Sequence, residues 1–470
     1  MNSRPDAAAL WRSLAASDTG RAAGMAAAVI AANVIALVIT VVFARLLGAS
    51  GYGSLAALMS AFIILMVPGS ALQIAVAREV SHPAGAGAGA GVKPWLARLG
   101  VATVAVAAIA IPARDLIASA IGVEEGWAAA AVPVTAMLWM LVAVMRGALQ
   151  GFGLYRTVAL SIVGEGFARL VLGLALVGLG LDVTGAFLGT PLALVTVGVA
   201  LAIVLRPHLP APAVSGVARL RDLLAGARAP VAALTLLFVL QEVHVIVVKH
   251  EADGDAAGSY AVAAVAAKAI IWVAVGLGLY LLPEVARRAG AGVDARPVLT
   301  RTLALIGVLA VPMVLIYALA GEPLLRVVFG DDLAEASGAL PLLGVAMSLL
   351  ACTYLSVQYL LGRHRAAFIS ILAVAAVAEV ALLAGIGADL ERVALALLGL
   401  QLVCAALLLT TSFRTGPDDP QDLVRTEPSD PFIAPRQVAV EDSHPTRPAR
   451  AVRLGLGGHG AEPADHELGT

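Results

Sequence analysis

Charge is scarce in this chain. Only 13% of its 470 residues are Asp, Glu, Lys or Arg, where soluble domains carry about 25%. Apolar residues make up 60% and mean hydropathy is +0.92, which excludes a soluble globule. Cysteine is scarcer still. Cys352 and Cys404 both fall in apolar stretches without metal-ligand spacing, so they read as packing residues and no metal site is expected. Three lysines stand against 28 arginines, and with the abundant Ala and Gly this points to a GC-rich bacterial genome. Enzyme signatures are missing too. There is no P-loop, no HExxH, and no GxSxG between a strand and a helix, so neither an enzyme nor an ATP-driven machine is expected, and no cofactor. No cleavable leader is expected either, because Arg4, Arg12 and Arg21 precede a full-length apolar span.

What is present is a series of twelve apolar segments, each long enough to cross a bilayer. They run at about 24–44, 54–76, 95–113, 127–149, 157–179 and 183–205, then 229–248, 258–282, 299–320, 338–361, 366–387 and 391–413. With the N-terminus inside, eighteen Lys and Arg fall in inner segments, Arg146 among them. Only Arg45, Arg114, Lys249, Arg326 and Arg392 fall in outer loops. By the positive-inside rule both termini are cytoplasmic. The expected class is therefore an all-α polytopic protein of the plasma membrane. Residues 206–228 read as a cytoplasmic linker between two six-helix lobes, 1–205 and 229–413. The Pro- and acid-rich stretch 414–470 reads as a disordered tail, and the Gly-Ala run at 85–91 as a flexible inner loop.

The two lobes echo each other. A shift of 208 positions places Tyr52 on Tyr260, Gly122 on Gly330, Pro133 on Pro341 and Gln150 on Gln358. The amphipathic pieces RDLIASAIG and EPLLRVVFG correspond as well. Each half has six spans, an even number, so the repeats are parallel, related by an axis along the membrane normal, with a central cleft between them.

Ionisable residues inside the spans are few, and each is costly there. Lys268 lies about 15 Å into its span and faces a bundle interior or a wet cavity. Glu165 and Arg169, spaced i,i+4, share a helix face and are expected to pair. Glu242 and His244 lie near the outer end of their helix, where one of them is expected to meet water. Glu379 is deep and lone, either a proton-coupling group or a hydrogen-bonded packing residue. Asn33 and Gln73 read as interhelical hydrogen-bonding residues. Arg45 reads either as a snorkelling charge or as part of an outer mouth.

Several short motifs resemble one family. Ala44-Arg45-Leu46-Leu47-Gly48 with Gly51-Tyr52-Gly53 is similar to the opening signature of polysaccharide and oligosaccharide-lipid flippases, within the multidrug/oligosaccharidyl-lipid/polysaccharide exporter superfamily. Gly258-Ser259-Tyr260, Lys268 and Leu282-Pro283-Glu284 resemble the matching pattern of the second half, and Met145–Gly151 the motif closing the fourth helix. The resemblance implies a flippase carrying a lipid-linked saccharide from the inner to the outer leaflet by alternating access. Arg169 and Lys268, one per lobe, with Arg45 at the mouth, would bind its phosphates, while Glu165, Glu242 and Glu379 would pair or couple. Expected partners are the lipid-linked substrate, membrane lipids and glycosyltransferases or a polymerase of the same pathway. Nucleic acid is not among them. The alternative within the superfamily is a cation-coupled multidrug antiporter. Those relatives use a carboxylate in the first span, and MAAAVIAANVIALVITVVFA has none.

Overall fold

The computed structural model describes residues 18–81, 91–209, 228–363 and 365–414. The expected tail, most of the linker and the 85–91 run lie outside the described residues, apart from Gly91 and the edges 206–209 and 228.

Every long element is a helix. The first half comprises α1 (Asp18–Ser81), α2 (Val92–Ala110), α3 (Arg114–Ile121), α4 (Gly126–Gly151), α5 (Tyr155–Leu176) and α6 (Asp182–Leu205). The second comprises α7 (Arg228–Glu251), α8 (Gly254–Ala267), α9 (Ala269–Gly290), α10 (Arg296–Phe329), α11 (Leu340–Gly362), α12 (Phe368–Ala384) and α13 (Leu390–Arg414). Nine stretches of described residues are long and apolar enough to cross a membrane. Two of them are divided by glycines at positive φ. Gly48, at φ 68, breaks α1, and Gly180, at φ 84, ends the π-turn Val177–Leu181 between α5 and α6. Among the described residues, α12 is a further, shorter apolar helix beside these nine stretches.

The repeat is visible in local structure. The pieces flagged as amphipathic both end at a glycine of positive φ, Gly122 at 82° and Gly330 at 114°. The first forms its own helix, α3. The second is merged into α10 behind a kink at Ala320. Gln150 of α4 accepts a hydrogen bond from Gln73 of α1, while Gln358 of α11 lies against Gly278 of α9. Equivalent glutamines thus face the second spans of their own halves.

Small residues set the packing distances. A Cβ on Gly147 would overlap the Gln73 carbonyl oxygen, and one on Gly189 would meet the Gly173 backbone at 2.7 Å. Such close approach lets backbones pack where lipid supplies no hydrophobic drive between helices.

The halves meet chiefly through α1, which packs on α7 and α8 and touches α10. The backbones nearly touch there. A Cβ on Gly53 would lie 3.0 Å from the Gly258 nitrogen, and one on Gly258 would overlap the Ala49 carbonyl. Arg45 donates from Nε to the Val328 carbonyl at 3.0 Å and from Nη2 to that of Val327. It thereby satisfies carbonyls at the C-terminal end of α10, which a helix leaves unpaired. On α7, His250 contacts the Ala120 carbonyl at 3.2 Å and lies against Gly122. This seam sits at the end of the bundle that the charge bias places outside.

Candidate functional site

The seam continues inward into a buried polar cluster. Lys268 is the junction between α8 and α9, where the expected continuous helix over 258–282 is interrupted. Its side chain is only 8% exposed, and Nζ donates to Glu242 Oε2 at 2.8 Å. The same oxygen accepts from Ser60 Oγ at 2.8 Å, across the seam from α1. The other, Oε1, accepts from Gln241 Nε2 at 2.9 Å. Ser60 and Lys268 are 208 positions apart, so they are equivalent in the repeat and converge on one carboxylate.

Glu242 and His244 are therefore buried rather than on a wetted rim. The rim expectation fails because α1 of the other half covers this face of α7. His244 contacts the Gln241 carbonyl through Nε2 at 2.9 Å and the Tyr260 hydroxyl through Nδ1 at 3.0 Å. A carbonyl can only accept, so Nε2 carries the proton and Nδ1 accepts from Tyr260. The neutral ring satisfies both contacts.

Glu379 of α12 is 0% exposed, and neither of its carboxyl oxygens has a hydrogen-bond partner among the described residues. Its electrostatic neighbours are Lys268, Tyr260 and Cys404. The carboxyl is thus deep and lone, as expected, and not hydrogen-bonded.

In the first half, Glu165 does not form its ion pair with Arg169. Its Oε2 accepts from Arg146 Nη2 at 2.8 Å, and Arg146 also reaches Ser161 Oγ and the Ser161 carbonyl. Sequence alone places Arg146 among inner-loop charges. Instead it is 2% exposed in α4, with its guanidinium 5.6 Å from the Trp139 ring centroid. The i,i+4 rule puts Glu165 and Arg169 on one helix face but says nothing about what a neighbouring helix presents to it. Half-buried Arg169 is left with no hydrogen bond or ion pair among the described residues, and its electrostatic neighbours are Glu165 and Tyr52. Tyr52 is buried at the seam, and Glu242 is another of its electrostatic neighbours.

The two expected phosphate-binding cations thus differ in state. Lys268 is engaged by Glu242, and Arg169 is not engaged. Ser60 and Arg146 are the important residues the sequence reading did not single out for the site. The repeat offset could have flagged Ser60, since it is the position matching Lys268. Among the described residues no cluster of three or more His, Cys, Asp or Glu could hold a metal ion.

No family profile matches the chain, and no curated protein matches it. Solved structures do. A eukaryotic MATE transporter, AtDTX14, superposes with a TM-score of 0.58 at 16% identity, covering 88% of this chain and 98% of that one. The lipid II flippase MurJ, in an inward closed conformation, gives 0.62 at 13% identity, over 82% of this chain and 87% of that one. A MOP superfamily transporter from Pyrococcus furiosus gives 0.53 at 16%, over 83% and 93%. The chain has the fold shared by these transporters, along nearly their whole length.

Proposed function

We propose that this protein is a membrane transporter that carries a lipid-linked oligosaccharide or polysaccharide precursor from the inner to the outer leaflet by alternating access. The observation that carries this reading is Arg169. Glu165 is taken by Arg146 and Glu242 by Lys268, so the first half retains an interior guanidinium with no bonded counter-charge among the described residues. A planar guanidinium without a carboxylate suits a phosphate or pyrophosphate headgroup, which it binds through paired charge-assisted hydrogen bonds. The fold supports the transport part of the reading. The meeting of the halves at one end supports a state closed on that side. The lipid tail would stay in the bilayer while the saccharide passes between the halves.

The test is export of the lipid-linked saccharide by variants at matched membrane levels. Arg169→Met should reduce export by about tenfold or more, since one charge-assisted contact is worth roughly 1.5–3 kcal/mol. Arg169→Lys should retain an intermediate rate, because an ammonium supplies charge without the planar fork. Full export by Arg169→Met overturns the assignment of Arg169. Cation-dependent efflux of hydrophobic drugs, with no effect on saccharide export, would favour the antiporter. The uncharged first span speaks against that alternative.

A further inference from the structure

Glu165 has an arginine on each side and is bonded to one of them. From α4, Arg146 donates through Nη2 to Glu165 Oε2 at 2.8 Å. Its Nε donates to Ser161 Oγ at 2.9 Å, and Nη2 also donates to the Ser161 carbonyl at 3.0 Å. The guanidinium lies 5.6 Å from the Trp139 ring centroid and the residue is 2% exposed, so Arg146 is fixed in place. Ser161, Glu165 and Arg169 are successive i,i+4 positions of α5, which runs from Tyr155 to Leu176 without a backbone break. Side chains at that spacing lie one above the other on a helix face, with Cβ atoms about 5–6 Å apart. Both are long enough to close that gap, so a change of rotamer brings Glu165 to Arg169. Arg146 prevents it. It holds Ser161 and Glu165 from the facing helix, and half-buried Arg169 is left with no hydrogen bond or ion pair among the described residues.

We propose that Arg146 is a positioning residue, which by holding Glu165 keeps Arg169 open for the anionic part of the substrate. With Arg146 in place, Glu165 is neutralised from α4 and Arg169 keeps its planar fork of N–H donors. Without Arg146, an interior carboxylate left unpaired is costly, and Glu165 turns to the arginine one helical turn along. Arg169 is then closed into an i,i+4 pair. Loss of a side chain that does not touch the substrate therefore has the effect of losing Arg169 itself. The same exchange makes the two sides of the Arg146–Glu165 pair unequal. Glu165 has a second arginine to turn to, whereas no second carboxylate pairs with Arg146 among the described residues. The consequence for transport rests on the substrate reading above, but the exchange of partners is measured without any substrate.

The test uses the full chain and has two arms. The first is detergent thermal unfolding of Arg146→Met, Arg169→Met and the double variant. Arg146→Met should lower the midpoint more in the Arg169→Met background than in the parent, because only the parent offers Glu165 a substitute partner. The second arm is export of the lipid-linked saccharide at matched membrane levels. Arg146→Met should export about tenfold less or lower, the loss expected of Arg169→Met. Adding Glu165→Gln should raise that export severalfold, because an amide has no charge with which to capture Arg169. Arg146→Lys should keep more export than Arg146→Met. Where Arg146→Met does not accumulate, Arg146→Gln, which keeps a polar contact to Ser161, carries the same comparisons. A pair with a structural role alone would lower protein level and leave export per molecule unchanged. The proposal is overturned if the midpoint losses of Arg146→Met and Arg169→Met simply add. It is also overturned if Arg146→Met with Glu165→Gln exports no better than Arg146→Met. Full export by Arg169→Met with the midpoint coupling intact would remove the substrate reading and leave the exchange of partners standing.

Discussion

At the residue scale, the chain places its few interior charges so that most are neutralised by a neighbour on another helix. Breaking one side of such a pair leaves a buried charge and costs about 3–5 kcal/mol, whereas removing both sides costs little. Arg146→Met and Glu165→Gln should each lower the amount of folded protein in the membrane, and the double variant should recover it. Quantitative blotting of membrane fractions checks this, and a double variant worse than either single one would contradict it. The same cycle on Lys268→Met and Glu242→Gln should show rescue, because their side chains share a 2.8 Å ion pair. The sequence leaves Lys268 two roles, a ligand for the anionic part of the substrate or a structural partner of Glu242 or Glu379, and rescue in this cycle would favour the second. In this state Lys268 is buried and bonded to Glu242.

At the scale of elements, helix existence was legible and helix contact was not. Hydropathy marks where each helix runs because a bilayer imposes a minimum apolar length on every crossing. Breaks inside the runs need backbone geometry. Nothing in AAVAAKAIIW announces the interruption at Lys268, since alanine and isoleucine on either side would continue the helix. Glycines at close crossings stand in the quoted motifs, but nothing in the sequence says which helix each one meets. Gly147 is one such glycine, whose missing side chain admits the Gln73 carbonyl of α1. Gly147→Ala should force α1 and α4 apart and cost about 1–3 kcal/mol, the usual penalty of overpacking. A lowered midpoint in detergent thermal unfolding measures that loss, and an unchanged midpoint would show that the crossing can relax freely.

At the scale of the whole molecule, orientation and seam can each be tested. Cysteine introduced at Val293, in the exposed turn after α9, should react with impermeant maleimide only once the membrane is permeabilised. Cysteine at Asp332 should react in intact cells. The reverse pattern would invert the topology drawn from the arginine and lysine bias, which holds whether or not buried Arg146 is counted. Ser60→Ala removes a hydrogen bond to a charged acceptor, worth roughly 1.5–3 kcal/mol, and should shift the seam toward its open form by about tenfold or more. Spin-label distances across the seam would report that shift, and an unchanged distribution would show that backbone packing alone holds the halves together.

The sequence by itself determined the membrane class, the run of apolar helices, the internal repeat and the short list of interior charges. Each of these is a one-dimensional property: apolar length, loop charge, periodic spacing, or a polar residue where lipid should be. The tertiary structure decided the partnerships. Glu165 meets Arg146 instead of the arginine one turn along its own helix, and Glu242 is covered by Ser60, 182 positions away, instead of by water. The physical reason is that a charge pairs with whatever a neighbouring helix brings to its face. That is set by close crossings such as Gly53 against Gly258, which no spacing along one helix encodes.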